Sequence, residues 1–240
     1  MPSPDRSRAN ALLAGFAAAS LIGLLAYPYL VEGLIARLGV RASCAALLGV
    51  SLVSLALRRR APPVLELPAW PGLAIAAVLG LGAIRGQRDA LLLIPAIVYL
   101  GLADLFRRSL AREDSLIERA ARWIVPEAPD FIRGYCRGVS WLWAALLAAC
   151  AVAIAWLALA GPSDRWQAVT GWGIYAVMLA VSGLEFFVRK TWFRYYFHGG
   201  PFDRVWSRLF PAENTERGRR SAEYIRRFRE EAAQSARARG

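Results

Sequence analysis

The only histidine of the chain, His198, stands five positions before an aspartate, Asp203. In a pair of this kind the carboxylate orients the imidazole, which then acts as a general base toward an acceptor hydroxyl. The intervening Gly-Gly-Pro-Phe run and the aromatic residues before His198 also fit a tight turn anchored at a membrane surface. The spacing therefore leaves two interpretations open, a proton-transfer site and a structural turn.

This His-x4-Asp spacing is that of glycerolipid acyltransferases, and its place after the last apolar run suits a lipid substrate. Only 37 residues follow Asp203, too few for the substrate-binding domain of those enzymes, whose other motifs are absent here. A membrane-embedded acyltransferase is therefore kept as an alternative function, with His198, Asp203 and Glu185 as its candidate catalytic residues.

Two carboxylates, Asp104 and Glu185, lie inside apolar runs. A charged group within a membrane span is costly and raises a functional hypothesis by default. Each also precedes an arginine by four positions, Arg108 and Arg189 respectively, which is the spacing of a favourable ion pair on one helix face. The sequence therefore predicts structural pairing for both, with proton transfer by Glu185 as the alternative.

Other chemistries lack the residues that they require. Three cysteines and one histidine, with no C-x-x-C pair, cannot supply the roughly four closely spaced ligands of a zinc site. A Cys/His/His condensing centre needs a second histidine. No G-x-x-x-x-G-K-[ST] phosphate-binding loop is present. We therefore predict neither a metal nor a cofactor.

Composition places the chain in a membrane. Of its 240 residues 57% are hydrophobic, against about 45–50% in soluble domains. Because about 20 apolar residues cross a bilayer as a helix, the sequence predicts an all-α, polytopic bundle of about six spans. These cover residues 11–31, 42–57, 64–84, 90–106, 139–161 and 168–188. If the third and fourth runs form a shallow hairpin instead, four full spans remain.

The distribution of cations predicts the orientation. Arg and Lys accumulate on the cytoplasmic side of membrane proteins, and one side of the six-span arrangement holds 25 of the 30 cations. We therefore expect a bacterial inner-membrane protein with both termini in the cytoplasm. The predicted domains are a transmembrane domain, residues 1–190 with a cytoplasmic segment at 107–137, and a basic cytoplasmic tail, residues 191–240.

The cytoplasmic segment 107–137 has the pattern of an amphipathic helix. Ser115-x-x-Glu118 fits a capping box that begins a helix, and Pro126 and Pro129 end it. Apolar residues then fall on one face, as in helices that lie in the headgroup plane.

The tail from Arg189 onward carries 13 cations and six acids, a net charge of +7. Basic residues at a membrane surface attract anionic lipids by about 1 kcal/mol each. Nucleic acid is the competing partner for such a tail, but the adjacent membrane favours lipid, and we predict no nucleic-acid binding.

Several short patterns lie in order between Arg107 and Arg189. These are Ile117-Glu118-Arg119-x-Ala121-Arg122, Tyr135-x-Arg137-x-Val139-Ser140-x-x-Trp143, Tyr175-x-x-Met178 and Glu185-x-x-x-Arg189, with Tyr27-Pro28 as a weaker echo. In these the chain resembles a family of uncharacterised bacterial inner-membrane proteins. Their genes occur in fatty-acid-like clusters for aryl polyenes and xanthomonadin-type pigments. The family has Asn-Gly where this chain has Thr170-Gly171. The resemblance implies a pathway context and no particular reaction.

Three functional hypotheses follow. The leading one is a non-catalytic accessory protein of an acyl-lipid or aryl-polyene-like pathway, which binds anionic lipid, acyl carrier protein or soluble synthesis enzymes. Carrier proteins are acidic, so arginines could dock one by electrostatic steering. The alternatives are the acyltransferase and a small lipid exporter or flippase, and self-association is left open. The predicted binding residues are Glu118, Arg119, Arg122, Arg133, Tyr135, Arg137 and Arg189, with Arg112 as a further docking arginine.

Overall fold

The fold is all-α, as predicted. A computed structural model describes residues 4–58, 68–124, 129–194 and 201–237. That part of the chain is about 90% helical and contains no strands. Its helices are α1 (Pro4–Arg58), α2 (Trp70–Arg85), α3 (Asp89–Leu92), α4 (Ile94–Leu110), α5 (Leu116–Ile124), α6 (Arg133–Ala160), α7 (Ser163–Ala168), α8 (Ile174–Phe193), α9 (Pro201–Leu209) and α10 (Glu216–Arg237).

Four helical stretches within these ranges are long and apolar enough to cross a membrane. They are Leu25–Leu57, Asp89–Leu110, Asp130–Ala160 and Ser163–Phe193. The predicted third run corresponds to α2, which is apolar but has only 16 residues. Its first part, residues 64–67, lies outside the described residues. The structure thus supports a membrane protein with four such stretches.

Helix α1 is interrupted at Gly39, whose φ of 77° and ψ of 166° are not helical. The positive φ suits glycine because it has no Cβ to clash with the backbone. On a straight helix Tyr27 and Cys44 would lie about 25 Å apart. Instead Tyr27 Oη donates to the Leu91 carbonyl, while Cys44 Sγ and Ala90 Cβ both lie within 3 Å of a Cβ built on Gly82. The halves of α1 therefore converge on adjacent residues, which requires α1 to turn at Gly39.

The second half of α1 packs closely and antiparallel on α2. A Cβ built on Gly72 would lie 2.8 Å from Leu55 Cδ2, and one built on Gly82 would lie 2.9 Å from Cys44 Sγ. Glycine at these two positions lets the helices approach, as small residues do in membrane bundles. Gly80, eight residues after Gly72 in α2, has no such neighbour within 4 Å.

The fourth predicted run is divided at Leu93 into α3 and α4. Pro95 has no N–H, so the carbonyl of Leu91, four residues earlier, loses its helical donor. Tyr27 Oη donates to that carbonyl at 2.7 Å, and Trp166 Nε1 donates to the Leu92 carbonyl at 3.2 Å. Within lipid an unpaired carbonyl is expensive, so these two side chains make the proline break tolerable.

Helices α4 and α6 pack along each other in opposite directions. The start of α6 reaches the end of α4, since Arg137 Nη2 donates to the Leu110 carbonyl at 2.8 Å. Along their length Tyr99, Leu147 and Ile154 are all less than 5% exposed. The packing of α4 on α6 thus fixes the position of Asp104, near the end of α4, and of the residues that follow this helix.

The chain divides into two compact units, Met1–Ala176 and Val177–Gly240. The predicted domain boundary follows residue 190 and the division between the two units follows residue 176, and both positions lie within α8. The second unit, here called the tail unit, therefore includes most of α8 together with α9 and α10.

Candidate functional site

Asp104 is an acceptor for three side chains near the end of α4. Arg108 Nε donates to its Oδ2 at 2.7 Å, so the predicted pairing is confirmed. Arg107 Nη2 binds Oδ1 at 2.7 Å, and Trp70 Nε1 donates to Oδ2 at 2.9 Å from the first residue of α2. The carboxylate thus ties α2 to α4, a contact across 34 positions of sequence.

The end of α4 and the chain after it form a segment that we call the cap, of which the structure describes residues 109–124 and 129–137. Ser115 Oγ accepts the N–H of Glu118 at 3.3 Å, and α5 begins at Leu116, so the predicted helix start is confirmed. Ser109 Oγ accepts the N–H of Leu116 at 3.1 Å. Two serine hydroxyls therefore satisfy backbone donors that the first turn of a helix leaves free.

Glu118 is the centre of the cap. Its side chain is fully buried, and Oε1 accepts hydrogen bonds from Arg122 Nη2 and from Arg133 Nε, each at 3.1 Å. The same two guanidiniums reach Asp130 at 2.7 Å and Asp114 at 3.1 Å. Five charged side chains thus join α5 to the start of α6 in one network.

The electrostatics of the network keep its cations charged. Hydrogen bonds from Arg122 to the carboxylates of Asp130 and Glu118 favour the protonated guanidinium, and they raise the pKa of Arg122 above its usual range. The second carboxylate oxygen of Glu118, Oε2, is buried and has no hydrogen-bond partner among the described residues. With three carboxylates against two guanidiniums, the network has a formal net charge of −1.

The other predicted binding residues of the cap lie in different surroundings. Arg137 donates from Nη1 to the Arg112 carbonyl at 3.2 Å and from Nη2 to that of Leu110, next to the end of α4. Tyr135 is half-buried, whereas Arg112 and Arg119 are exposed. The structure thus brings Glu118, Arg122 and Arg133 together, leaves Arg119 at the surface, and uses Arg137 to bind backbone carbonyls.

In the tail unit the predicted Glu185–Arg189 pair is confirmed, with Arg189 Nε 3.2 Å from Glu185 Oε1. Asp203 is 7% exposed and accepts a hydrogen bond from Lys190 Nζ at 2.5 Å. His198 lies outside the described residues, so its proposed pairing with Asp203 stays a prediction. The observed partner of Asp203 is a cation that joins α8 to α9.

Aromatic packing also holds α9 against α8. The ring centroid of Trp206 lies 6.0 Å from that of Phe187 and 6.4 Å from that of Phe186, in edge-to-face geometry. Phe210 packs on both Phe187 and Trp206. The Gly-Pro-Phe-Asp run before Trp206 therefore leads into a packed helix that begins at Pro201.

Helix α10 packs against the end of α8 through a narrow buried edge. Ser221 Oγ donates to the Phe193 carbonyl at 2.8 Å, and Ile225 is 8% exposed. Arg217 stacks over the Trp192 ring, with its guanidinium carbon 4.1 Å from the ring centroid. The helix also carries six exposed arginines, which are Arg217, Arg219, Arg220, Arg226, Arg227 and Arg229.

Within the first unit, a second and looser group of polar residues lies at the end opposite the cap. Arg88 lies 3.4 Å from both Glu32 Oε1 and Ser163 Oγ, and Gln167 lies 3.4 Å from Glu32 Oε2. In the part of the chain that the structure describes, no group of three or more His, Cys, Asp or Glu side chains could hold a metal ion.

The position where the resembling family has Asn-Gly falls in a π-helical turn, Val169–Gly173. Thr170 Oγ1 donates to the Trp166 carbonyl at 2.7 Å, which is a local bond. A Cβ built on Gly171 would lie 3.5 Å from Tyr29 Oη, so α1 approaches the turn closely there. Comparisons with protein-family models, curated proteins and solved structures gave no match to this chain.

Proposed function

We propose that the chain is a non-catalytic scaffold of the bacterial inner membrane that serves an acyl-lipid or aryl-polyene-like biosynthetic pathway. It holds an acidic acyl carrier protein, or anionic lipid headgroups, near the membrane. The observation that carries this proposal is α10, a 22-residue helix with six exposed arginines. A set of exposed cations on one helix is suited to electrostatic docking of an acidic partner.

The confirmed ion pairs support a scaffold over an enzyme. Asp104 and Glu185, the intramembrane carboxylates, are bound by arginines on their own helices. Glu118 is bound by Arg122 and Arg133. Each of these carboxylates is thereby occupied by arginine side chains of the protein itself, which is unfavourable for an acid or base that must exchange protons with a substrate.

Six membrane crossings with both termini in the cytoplasm complete the proposal. The second half of α1 extends for 19 residues beyond Gly39, about 28 Å of helix, which suits a hydrocarbon core of about 30 Å. Its antiparallel partner α2 is 16 residues long, and its close packing on α1 supports a paired crossing. The turn at Gly39 would then lie on the non-cytoplasmic side.

Cysteine labelling tests this topology. Single cysteines at Leu38 and Leu57, both exposed, are introduced into a chain whose three native cysteines are replaced by alanine. A membrane-impermeant maleimide should label Leu38→Cys from outside the cell and Leu57→Cys only after permeabilisation. If α1 crosses once without turning, Leu38→Cys lies within the bilayer and stays unlabelled.

The docking proposal is tested with the full chain in lipid nanodiscs and an acidic acyl carrier protein. We expect binding at low salt that weakens strongly toward 0.5 M salt, and about tenfold weaker binding for a triple variant, Arg220→Gln, Arg226→Gln and Arg227→Gln. A matched triple change of Arg37, Arg85 and Arg165 to Gln, which lie on the predicted non-cytoplasmic side, should leave binding unchanged.

The outcomes separate the two acidic partners. Binding to vesicles rich in phosphatidylglycerol that falls with the same triple variant, without carrier binding, would assign α10 to lipid. Equal binding by the triple variant and the parent chain, for both partners, would contradict the scaffold proposal.

A further inference from the structure

A cavity of about 470 Å³ opens between α4 and α6 beside Asp104. Its volume lies within the range of small-ligand sites. One side is apolar, and its wall consists of Leu100, Ala103, Trp141, Ala144, Ala145 and Ala148. The other side is polar and consists of Trp70, Asp104, Arg107 and Arg108. A ligand that fits both sides must be amphiphilic.

Alanines create the space. Four of the wall residues are alanines, and they lie where two otherwise closely packed spans face each other. Leu100, Trp141 and Ala145 are exposed although they belong to apolar spans, so the cavity opens sideways, toward the surface that such spans present to lipid. An acyl chain from the surrounding bilayer can enter by this route without leaving the apolar phase.

The polar side is set up to hold an anion. Asp104 binds Arg107 through Oδ1 and Arg108 through Oδ2, and these bonds fix two guanidiniums side by side. Trp70 donates to the same carboxylate and adds no charge. Two cations against one carboxylate leave a net charge of +1, and both arginine side chains are more than half exposed. Donors of Arg remain available because each guanidinium carries five.

We propose that this cavity binds one anionic phospholipid of the surrounding bilayer, with an acyl chain against the alanine wall and the phosphate on Arg107 and Arg108. The site lies wholly within the first unit and uses no residue of α10. It therefore goes beyond the scaffold function and does not depend on it. Asp104 acts as a positioning residue for the two guanidiniums.

Native mass spectrometry of the detergent-solubilised full chain tests the proposal. The ratio of lipid-bound to free protein is measured with phosphatidylglycerol and with phosphatidylcholine of the same chains. We expect phosphatidylglycerol to bind about fivefold more tightly. The site has a net charge of +1, and a single basic residue near a membrane surface gives an advantage of about that size.

Two pairs of variants examine the two sides of the site. Ala145→Phe places a ring in the cavity and should weaken phosphatidylglycerol binding about fivefold or more. Ala153→Phe makes the same change at another exposed alanine of α6, two turns further along and outside the cavity, and should have no effect. Arg108→Gln should remove the preference for phosphatidylglycerol, and Arg108→Lys, which keeps the charge, should restore it in part.

Three results would overturn the proposal. Equal retention of both lipids would show that the arginines do not select the headgroup. Unchanged binding by Ala145→Phe, a change on an exposed surface that leaves folding intact, would show that no chain occupies the cavity. Displacement of the lipid by inorganic phosphate at the same concentration would show that the chain contributes nothing. Loss of carrier docking in the α10 variant would leave all three readouts unaffected.

Discussion

The cap and the tail unit are both rich in arginine, yet they use it in different ways. In the cap, Arg122, Arg133 and Arg137 bind a buried carboxylate or backbone carbonyls. In α10 the pairs Arg220–Glu216 and Arg227–Glu223 lie on the exposed surface, each within one helix. An arginine count in the sequence therefore overstates the charge available to a partner wherever a buried acid is nearby.

Burial decides the energy of each kind of pair. Breaking a buried ion pair costs several kcal/mol because the remaining charge has lost both water and partner. An exposed pair contributes at most about 1 kcal/mol because water solvates both ions. We therefore expect substitutions in the cap to change stability and substitutions in α10 to change binding.

The largest effect should come from Glu118→Gln. The change removes the negative charge that Arg122 and Arg133 share, and we expect the free energy of unfolding to fall by about 2–3 kcal/mol, less than for a wholly buried pair because both guanidiniums are partly exposed. Thermal unfolding in detergent micelles measures it. The neighbouring Arg119→Gln, at an exposed position, should change the value by less than about 0.5 kcal/mol. Equal losses of unfolding free energy in the two variants would show that the buried Glu118 contributes no more to stability than the exposed Arg119.

Arg137→Ala should rank second. It removes two hydrogen bonds from a charged donor to the carbonyls of Leu110 and Arg112, and we expect a loss of about 1.5 kcal/mol. Hydrogen exchange of the amides that follow α4 should increase with it, as the end of that helix frays. Arg137→Lys keeps the charge without the forked donor and should recover only part of the loss. Full recovery would mean that charge alone matters at this position.

A third comparison uses the same bond in both regions. Ser115 Oγ accepts the N–H of Glu118 before α5, and Thr215 Oγ1 accepts that of Gly218 before α10. Removal of a helix cap costs about 1 kcal/mol. We expect Ser115→Ala to reach that value because Ser115 is fully buried. Thr215→Ala should cost less, since water can replace the lost acceptor at the partly exposed site. A larger loss of unfolding free energy for Thr215→Ala than for Ser115→Ala would show that burial does not decide the contribution of the bond.

The smallest effect on stability should come from Glu223→Ala. Its partner Arg227 is 69% exposed, so the pair contributes less than about 0.5 kcal/mol. The same change adds +1 to the net charge of α10 and should strengthen binding of an acidic partner at low salt. A binding assay at two salt concentrations, run beside an unfolding assay, separates the two effects. A large loss of stability with no gain in binding would show that the charged pairs of α10 stabilise the fold, as those of the cap do, and do not serve binding.

Sequence spacing predicted the contacts that lie within one helix. The pairs Asp104–Arg108 and Glu185–Arg189 and the start of α5 at Leu116 all follow from positions three or four apart. Contacts between helices could not be predicted, because they depend on how spans pack. Trp70 and Asp104 are 34 positions apart, and Tyr27 and Leu91 are 64 apart.

The sequence analysis named Glu118, Arg122 and Arg133, but it did not predict that their side chains come together with Asp114 and Asp130. The capping-box pattern identified Glu118 as a helix-start residue, whereas its carboxylate is the buried acceptor for Arg122 and Arg133. An acid followed by arginines at both four and fifteen positions gives no local signal of burial. The cavity at Asp104 was also missed, since alanines in a span look the same whether they face a neighbour or a gap. A usable signal was the adjacent pair Arg107-Arg108 after an acid that lies within an apolar run.

The shortness of α2 has a consequence for how the protein is made. A helix of 16 residues covers about 24 Å, so if α2 crosses the membrane as proposed, it would leave the insertion machinery with its ends mismatched to the bilayer. The second half of α1 has by then already emerged, and Leu55 and Cys44 offer contact points for Gly72 and Gly82. We therefore expect the second half of α1 and α2 to enter the membrane together, with α1 providing the surface on which α2 packs.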